Sequence, residues 1–220
     1  MRTLRPILLG LISLAIPLVL MMTSIRLVMS PLYLNLEYNL PGFPADPYGF
    51  TTEDRLYWSR FALDYLYNDA GPEFLGDLRF PDGQPLFNQR EVGHMLDVKN
   101  LVQLMLVVWP LLLAGLAILG LIAWRTGWMA DFWQAVSNGG WVTLGLIAAI
   151  LVFVLISFQQ LFTAFHRIFF EGDTWLFYYS DTLIRLFPLR FWQDGFILVG
   201  LFTAIGGLIL ALAGRRLARR

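Results

Sequence analysis

Apolar residues run without a charge through four stretches of the chain: Ile7 to Ile25, Leu101 to Trp124, Gly139 to Phe165 and Gly195 to Ala213. A helix rises about 1.5 Å per residue, so each stretch can cross a hydrocarbon core of about 30 Å. The pattern predicts four transmembrane helices. Pro17 and Pro110 fall inside the first two, where neighbouring helices can satisfy the freed carbonyls, so those helices are expected to bend.

Between the first two runs the period changes. Thr51-Thr52-Glu53-Asp54 reads as a helix start, because a threonine cap and early acidic residues satisfy the first amides. Trp58, Phe61, Ala62, Tyr65 and Leu66 then share one helical face, and Asn68-Asp69-Ala70-Gly71-Pro72 ends it. Leu78-Arg79-Phe80 and Pro85-Leu86-Phe87 flank Pro81-Asp82-Gly83-Gln84, the composition of a tight hairpin turn. After the third run come Phe169, Phe170, Trp175, Phe177, Tyr178 and Tyr179, with Ser180-Asp181 placed to cap a short helix ending at Pro188. Trp and Tyr favour the headgroup level, so Phe169, Phe170, Trp175 and Tyr178 are candidates for contact with lipid or a lipid-bearing substrate.

The fold expected is an all-α membrane protein. A four-transmembrane-helix bundle carries a small extracytoplasmic cap of one or two short helices and a β-hairpin. The segments are 1–29 for helix 1, 30–100 for the cap leading into helix 2, and 101–124 for helix 2. A cytoplasmic link follows at 125–138, then helix 3 at 139–165, an aromatic extracytoplasmic loop at 166–194, and helix 4 with a basic tail at 195–220.

Charge sets the orientation. Arg2 and Arg5 precede the first run, Arg125 opens the link, and Arg215, Arg216, Arg219 and Arg220 follow the last. Lys and Arg crowd cytoplasmic flanks, so both termini are expected inside. The first run exceeds a signal-peptide core and lacks a small-residue cleavage site, so it reads as an anchor that stays in the membrane. The composition agrees: 57% hydrophobic and 15% charged is too apolar for a soluble chain of this length. Zero net charge and the lack of a basic stripe argue against nucleic-acid binding. With no cysteine, disulfides, thiolate ligands and cysteine acyl-enzymes are all excluded.

The two histidines fall at the outer ends of spans. His94 leads into the second run in Asn88-Gln89-Arg90-Glu91-Val92-Gly93-His94-Met95-Leu96-Asp97-Val98-Lys99, and His166 closes the third, beside Arg167. On a helix, Arg90, His94 and Asp97 fall within about one 60° stripe, with Glu91 on its flank. Asn88 and Glu91 also fit a capping box, and Lys99 is placed to snorkel toward the interface. Two external histidines beside arginines and carboxylates suggest acid–base chemistry. Two His with Asp97 or Glu91 could alternatively hold a metal for a membrane hydrolase, although no paired-histidine spacing occurs. A non-enzymatic lipid- or lipoprotein-binding role is the third reading.

The run Phe87-Asn88-x-Arg90-Glu91-x-x-His94-Met95-x-Asp97-Val98-Lys99, followed by Phe165-His166-x-x-Phe169-Phe170, resembles the signature of the lipoprotein intramolecular transacylases, four-span proteins of Gram-positive bacteria. The resemblance implies a multi-pass protein of the bacterial cytoplasmic membrane with its site at the outer leaflet. It implies transfer of the sn-2 acyl chain of a diacylglyceryl-modified lipoprotein to the α-amine of that lipoprotein's N-terminal cysteine. It also makes His94 and His166 the catalytic pair, with His94 as the base or the two roles exchanged. Asn88, Arg90, Glu91, Asp97 and Arg167 are then the orienting or oxyanion-stabilising groups. No metal, no cofactor and no nucleic acid are expected; membrane phospholipid surrounds a monomer.

Overall fold

The structure is a computed structural model that describes residues 4–220, with the side chains at 155 and 156 set aside, so Arg2 lies outside the described residues. Eight helices follow in order: α1 (Arg5–Val28), α2 (Pro31–Tyr38), α3 (Thr52–Tyr67), α4 (Glu73–Gly76), α5 (Gln89–Thr126), α6 (Met129–Phe169), α7 (Thr182–Leu186) and α8 (Leu189–Leu217). Four of them, α1, α5, the first part of α6 to Val154 and α8, are long and apolar enough to cross a membrane. The protein is thus an all-helical membrane protein, and no strand forms among the described residues. The expected hairpin reduces to one bridge between Arg79 and Pro85, closed by Gly83 at φ 85°.

The chain packs as two compact units. The first comprises residues up to Leu27, Leu106–Ser157 and Ile197–Arg220. Small residues let its helices approach closely. A Cβ on Gly140 would lie 2.5 Å from the Gly207 carbonyl, and one on Gly139 2.7 Å from Ile16. Ile12, Ile16, Ala123, Phe132, Ala135 and Val136 form the core here. Its polar groups are mostly hydroxyls turned onto carbonyls, as Ser137 donates to Ala211 at 2.7 Å and Ser13 to Ala135 at 2.9 Å. Arg5 pairs with Asp131.

The second unit, Val28–Met105 and Phe158–Phe196, holds α2, α3, α4, α7 and the parts of α5, α6 and α8 that carry the candidate site. Helix α3 begins as its sequence predicts, with a full capping box between Thr51 and Asp54. Its buried face is Arg55, Ser59, Ala62, Leu63, Tyr65 and Leu66. Trp58 and Phe61 sit at the margin of that face, in an aromatic group with Tyr57 and Phe80. Helix α2 was not visible in the pattern, because its apolar residues are divided between two faces: Tyr33, Leu34 and Tyr38 are buried, while Leu32 and Leu36 are exposed.

Two cations hold this unit together from inside. The Arg55 guanidinium donates to the carbonyls of Arg185 at 2.9 Å and Pro44 at 2.6 Å. Lys99 does not reach outward. It is buried, donates to Asn68 Oδ1 at 3.1 Å and the Ala70 carbonyl at 2.5 Å, and lies over the Tyr65 ring at 4.1 Å. The turn that follows α3 thus captures it, through the side chain of the capping Asn68 and the Ala70 carbonyl, and Gln103 takes the Leu66 carbonyl in the last turn of α3.

Helix α6 is broken at Ser157, whose backbone is extended (φ −167°, ψ 107°). The single apolar run thereby becomes two helical pieces, and the second, from Phe158, carries His166.

Candidate active site

Helix α5 has 38 residues, more than the membrane core requires. Its first three turns precede the apolar run at 101–124 and form the platform for His94. Asn88 and Glu91 start it as a capping box: the Asn88 amide donates to Glu91 Oε2 at 2.7 Å, and the Glu91 amide to Asn88 Oδ1 at 3.0 Å.

His94 meets His166 ring to ring, with centroids 5.9 Å apart and planes 23° from parallel. Both histidines are buried, each residue 8% exposed. Phe170 and Phe177 present edges to His94 at 4.9 and 5.4 Å. Phe162, Phe165 and Trp175 surround His166 at 4.1, 5.6 and 4.8 Å. An aromatic box therefore seals the pair from water.

The two imidazoles are wired differently. His166 Nδ1 lies 2.8 Å from the Phe162 carbonyl. A carbonyl only accepts, so Nδ1 carries the proton and the lone pair of the neutral ring is on Nε2. His94 Nδ1 is buried with no partner. Burial, and then the facing His166, push His94 down to about 4. Burial lowers His166 as well, against the upward pull of the Phe162 bond. Both rings are neutral at pH 7.

Glu91 does not orient either histidine. Its Oε1 accepts the Leu183 amide at 2.7 Å, so the carboxylate ties α5 to α7. Burial raises it to about 7, with the Leu183 and Asn88 amides pulling the other way. Asn88 Nδ2 donates to Asp181 Oδ1 at 3.3 Å, and Arg90 Nη1 to the Leu176 carbonyl at 3.1 Å. Asp97 and Arg167 are exposed and form no side-chain hydrogen bond or ion pair among the described residues. Glu91 is engaged by backbone amides and Asp97 is on the surface, so among the described residues no carboxylate completes a two-histidine metal set. Among the expected contact residues Phe170 and Trp175 line the box. Phe169 meets the Phe165 ring at 4.9 Å and is otherwise half exposed, and Tyr178 is 74% exposed. Phe162, Phe165 and Phe177 belong to the box as well; the four-residue spacing of Phe162 to His166 is the signal that would have found the first.

Apolar helices long enough for a bilayer, carrying a buried imidazole pair in an aromatic enclosure, define an integral membrane enzyme of wholly helical build. The model of the family described as lipoprotein intramolecular transacylase Lit matches residues 10–192. The chain belongs to the lipoprotein intramolecular transacylase family, whose members are acyltransferases. An uncharacterised protein of Aquifex aeolicus is 30% identical over 198 residues, 87% of this chain and 85% of that one. The in meso structure of the membrane-integral Lit of Bacillus cereus superposes with a TM-score of 0.80 at 20% identity, covering 96% of this chain and 95% of that one. A variant of the same protein with one histidine replaced by arginine superposes at 0.73 and 21% identity, covering 96% and 91%. At these identities the likeness shows the fold.

Proposed function

We propose that this enzyme moves the sn-2 acyl chain of a diacylglyceryl-modified lipoprotein onto the α-amine of that lipoprotein's own N-terminal cysteine. The product is a lyso-form lipoprotein, N-acylated and keeping one O-acyl chain. The observation that carries the reading is the sealed pair of neutral, differently wired imidazoles. Amine and ester share one molecule, so holding them together supplies a large effective molarity without an acyl-enzyme.

His166 is the better base, because the Phe162 carbonyl fixes its open lone pair on Nε2. The amine nitrogen attacks the ester carbonyl, and as the N–C bond forms its proton passes to His166 Nε2. The C–O bond to glycerol then breaks, and the same proton goes to the departing glycerol oxygen. His94, kept neutral, donates its ring N–H to the oxyanion, a stabilisation that is strong in a water-poor site. The balance closes within one substrate and needs no cofactor. The arginine cluster at the end of α8 supports placing both termini in the cytoplasm and the histidines at the outer leaflet, the level of a lipoprotein's glyceryl ester. Phospholipid surrounds the enzyme, which acts as a monomer.

Expression in a host that makes diacylated lipoproteins, followed by mass spectrometry of their N-terminal lipopeptides, tests this. The lyso form should appear with the native chain and fall about 10²- to 10⁴-fold with His166→Ala. A diacyl form left unchanged by abundant native enzyme would refute the reaction, and an active His166→Ala variant would refute the base.

A further inference from the structure

Three rings of the aromatic box, Phe170, Trp175 and Phe177, come from one short stretch of chain that follows α6. This strap has no helix of its own between Phe169 and Thr182. Its internal bonds are local: Leu176 to Asp173, Trp175 Nε1 to Gly172, and Tyr178 to Asp181 Oδ2. It turns at Gly172 with φ 60°, a left-handed conformation that suits glycine. Its far side is bare, with Leu176, Tyr178 and Tyr179 at 46, 74 and 83% exposure.

Beyond the strap the chain is firmly held. Thr182 donates to the Leu86 carbonyl at 2.5 Å, the Leu183 amide to Glu91 at 2.7 Å, and Arg185 pairs with Asp46 at 3.0 Å. Apart from the Phe170 amide on the His166 carbonyl where it leaves α6, the strap is fastened among the described residues by polar contacts at two points, both from the start of α5: Arg90 onto the Leu176 carbonyl and the capping Asn88 onto Asp181. Both contacts are solvent-exposed, so water can replace either partner at little cost.

With each histidine buried to 8% exposure behind these aromatics, a diacylglyceryl cysteine reaches neither ring unless they move aside. We infer that Arg90 and Asn88 are positioning residues that latch the 170–181 strap over the histidine pair, and that substrate enters when the latch opens. This rests on the proposed transacylation for the identity of what enters, and it gives both residues a task other than oxyanion binding. Neither side chain touches a histidine. They act through the strap, by setting how often the aromatic box is assembled.

The chain has two histidines and no cysteine, which makes the test clean. Carbethoxylation of His94 and His166 by diethyl pyrocarbonate, mapped by mass spectrometry on the full-length protein, reads the open fraction. Arg90→Gln and Asn88→Ala should each speed modification of both rings about five-fold, the shift expected from losing one exposed hydrogen bond. Arg90→Lys, which can still reach the Leu176 carbonyl, should return the rate toward that of the native chain. An Asn88→Cys/Asp181→Cys pair, once oxidised, should block both carbethoxylation and lyso-lipoprotein formation, and a reductant should restore both. Unchanged modification rates in both single variants, or full turnover by the oxidised pair, would overturn the latch. Faster modification in variants of a chain that makes no lyso product would support the latch while removing the transacylase reading.

Discussion

The two units of this protein are built by opposite means. The first is cemented by small residues and hydrocarbon, with glycines so close to facing backbone that no side chain fits. The second is held by directed polar bonds that join residues far apart in sequence: Arg55 to Arg185, Tyr38 to Leu186, Lys99 to Asn68, Glu91 to Leu183. The contrast teaches where acid–base chemistry can be sited. An imidazole needs neighbours that fix its tautomer and exclude water, and only the polar, aromatic unit supplies both.

The sharpest way to break the contrast is to give the first unit a side chain it has no room for. Gly140→Leu would drive its Cβ into the Gly207 carbonyl and the Ala211 backbone, at a cost of about 3 kcal/mol. Thermal unfolding in detergent should show the loss. A variant as stable as the native chain would mean the helices part easily, and the account of this unit would fail. Arg55→Met makes the corresponding cut in the second unit by orphaning the Pro44 and Arg185 carbonyls, for about 2 to 3 kcal/mol. Hydrogen exchange should find the loss concentrated in α3 and α7, with α1 still protected.

The third difference is in pH response. The folded His94 sits below its unfolded value of about 6.5, so its stabilising contribution is complete above that pH and is lost as pH falls toward about 4. Over pH 8 to 5 the His94 contribution should fall by about 2 kcal/mol. It is opposed by Glu91 and Glu37, which burial raises to about 7 and which favour the fold as they take up protons. His94→Phe should therefore lose less stability on acidification than the native chain. An equal slope in the variant would show that His94 is not the titrating group. Under the proposed transacylation, activity should follow the accepting amine, rising toward its pKa of about 8, without the step near 6.5 that an exposed histidine would give.

The same contrast explains what could be read in advance. Long uncharged runs identify membrane helices because hydrocarbon tolerates little else, and Thr51 with Asp54 marks the start of α3 because a capping box is local. The chain's two histidines were visible as a pair through their equivalent positions at span ends. The targets of Asn88, Arg90 and Glu91 were not, since they lie 86 to 93 residues away on backbone or side-chain atoms that no local pattern specifies. Lys99 departs from its expected interfacial place for a related reason: its partners are Asn68 and Ala70, in the turn that follows another helix. Helix α2 inverts the usual rule, with Glu37 buried and Leu32 exposed. Its register follows its neighbours rather than simple hydropathy. The break at Ser157 carries no proline to announce it.

The Phe162 carbonyl that fixes the His166 tautomer belongs to the main chain. No side-chain replacement at position 162 removes it, short of one that unwinds the helix. The wiring of the imidazole is therefore insulated from point mutation, while the ring stacked beside it remains free to vary. Substitutions can reshape the walls of the enclosure without altering which nitrogen holds the proton.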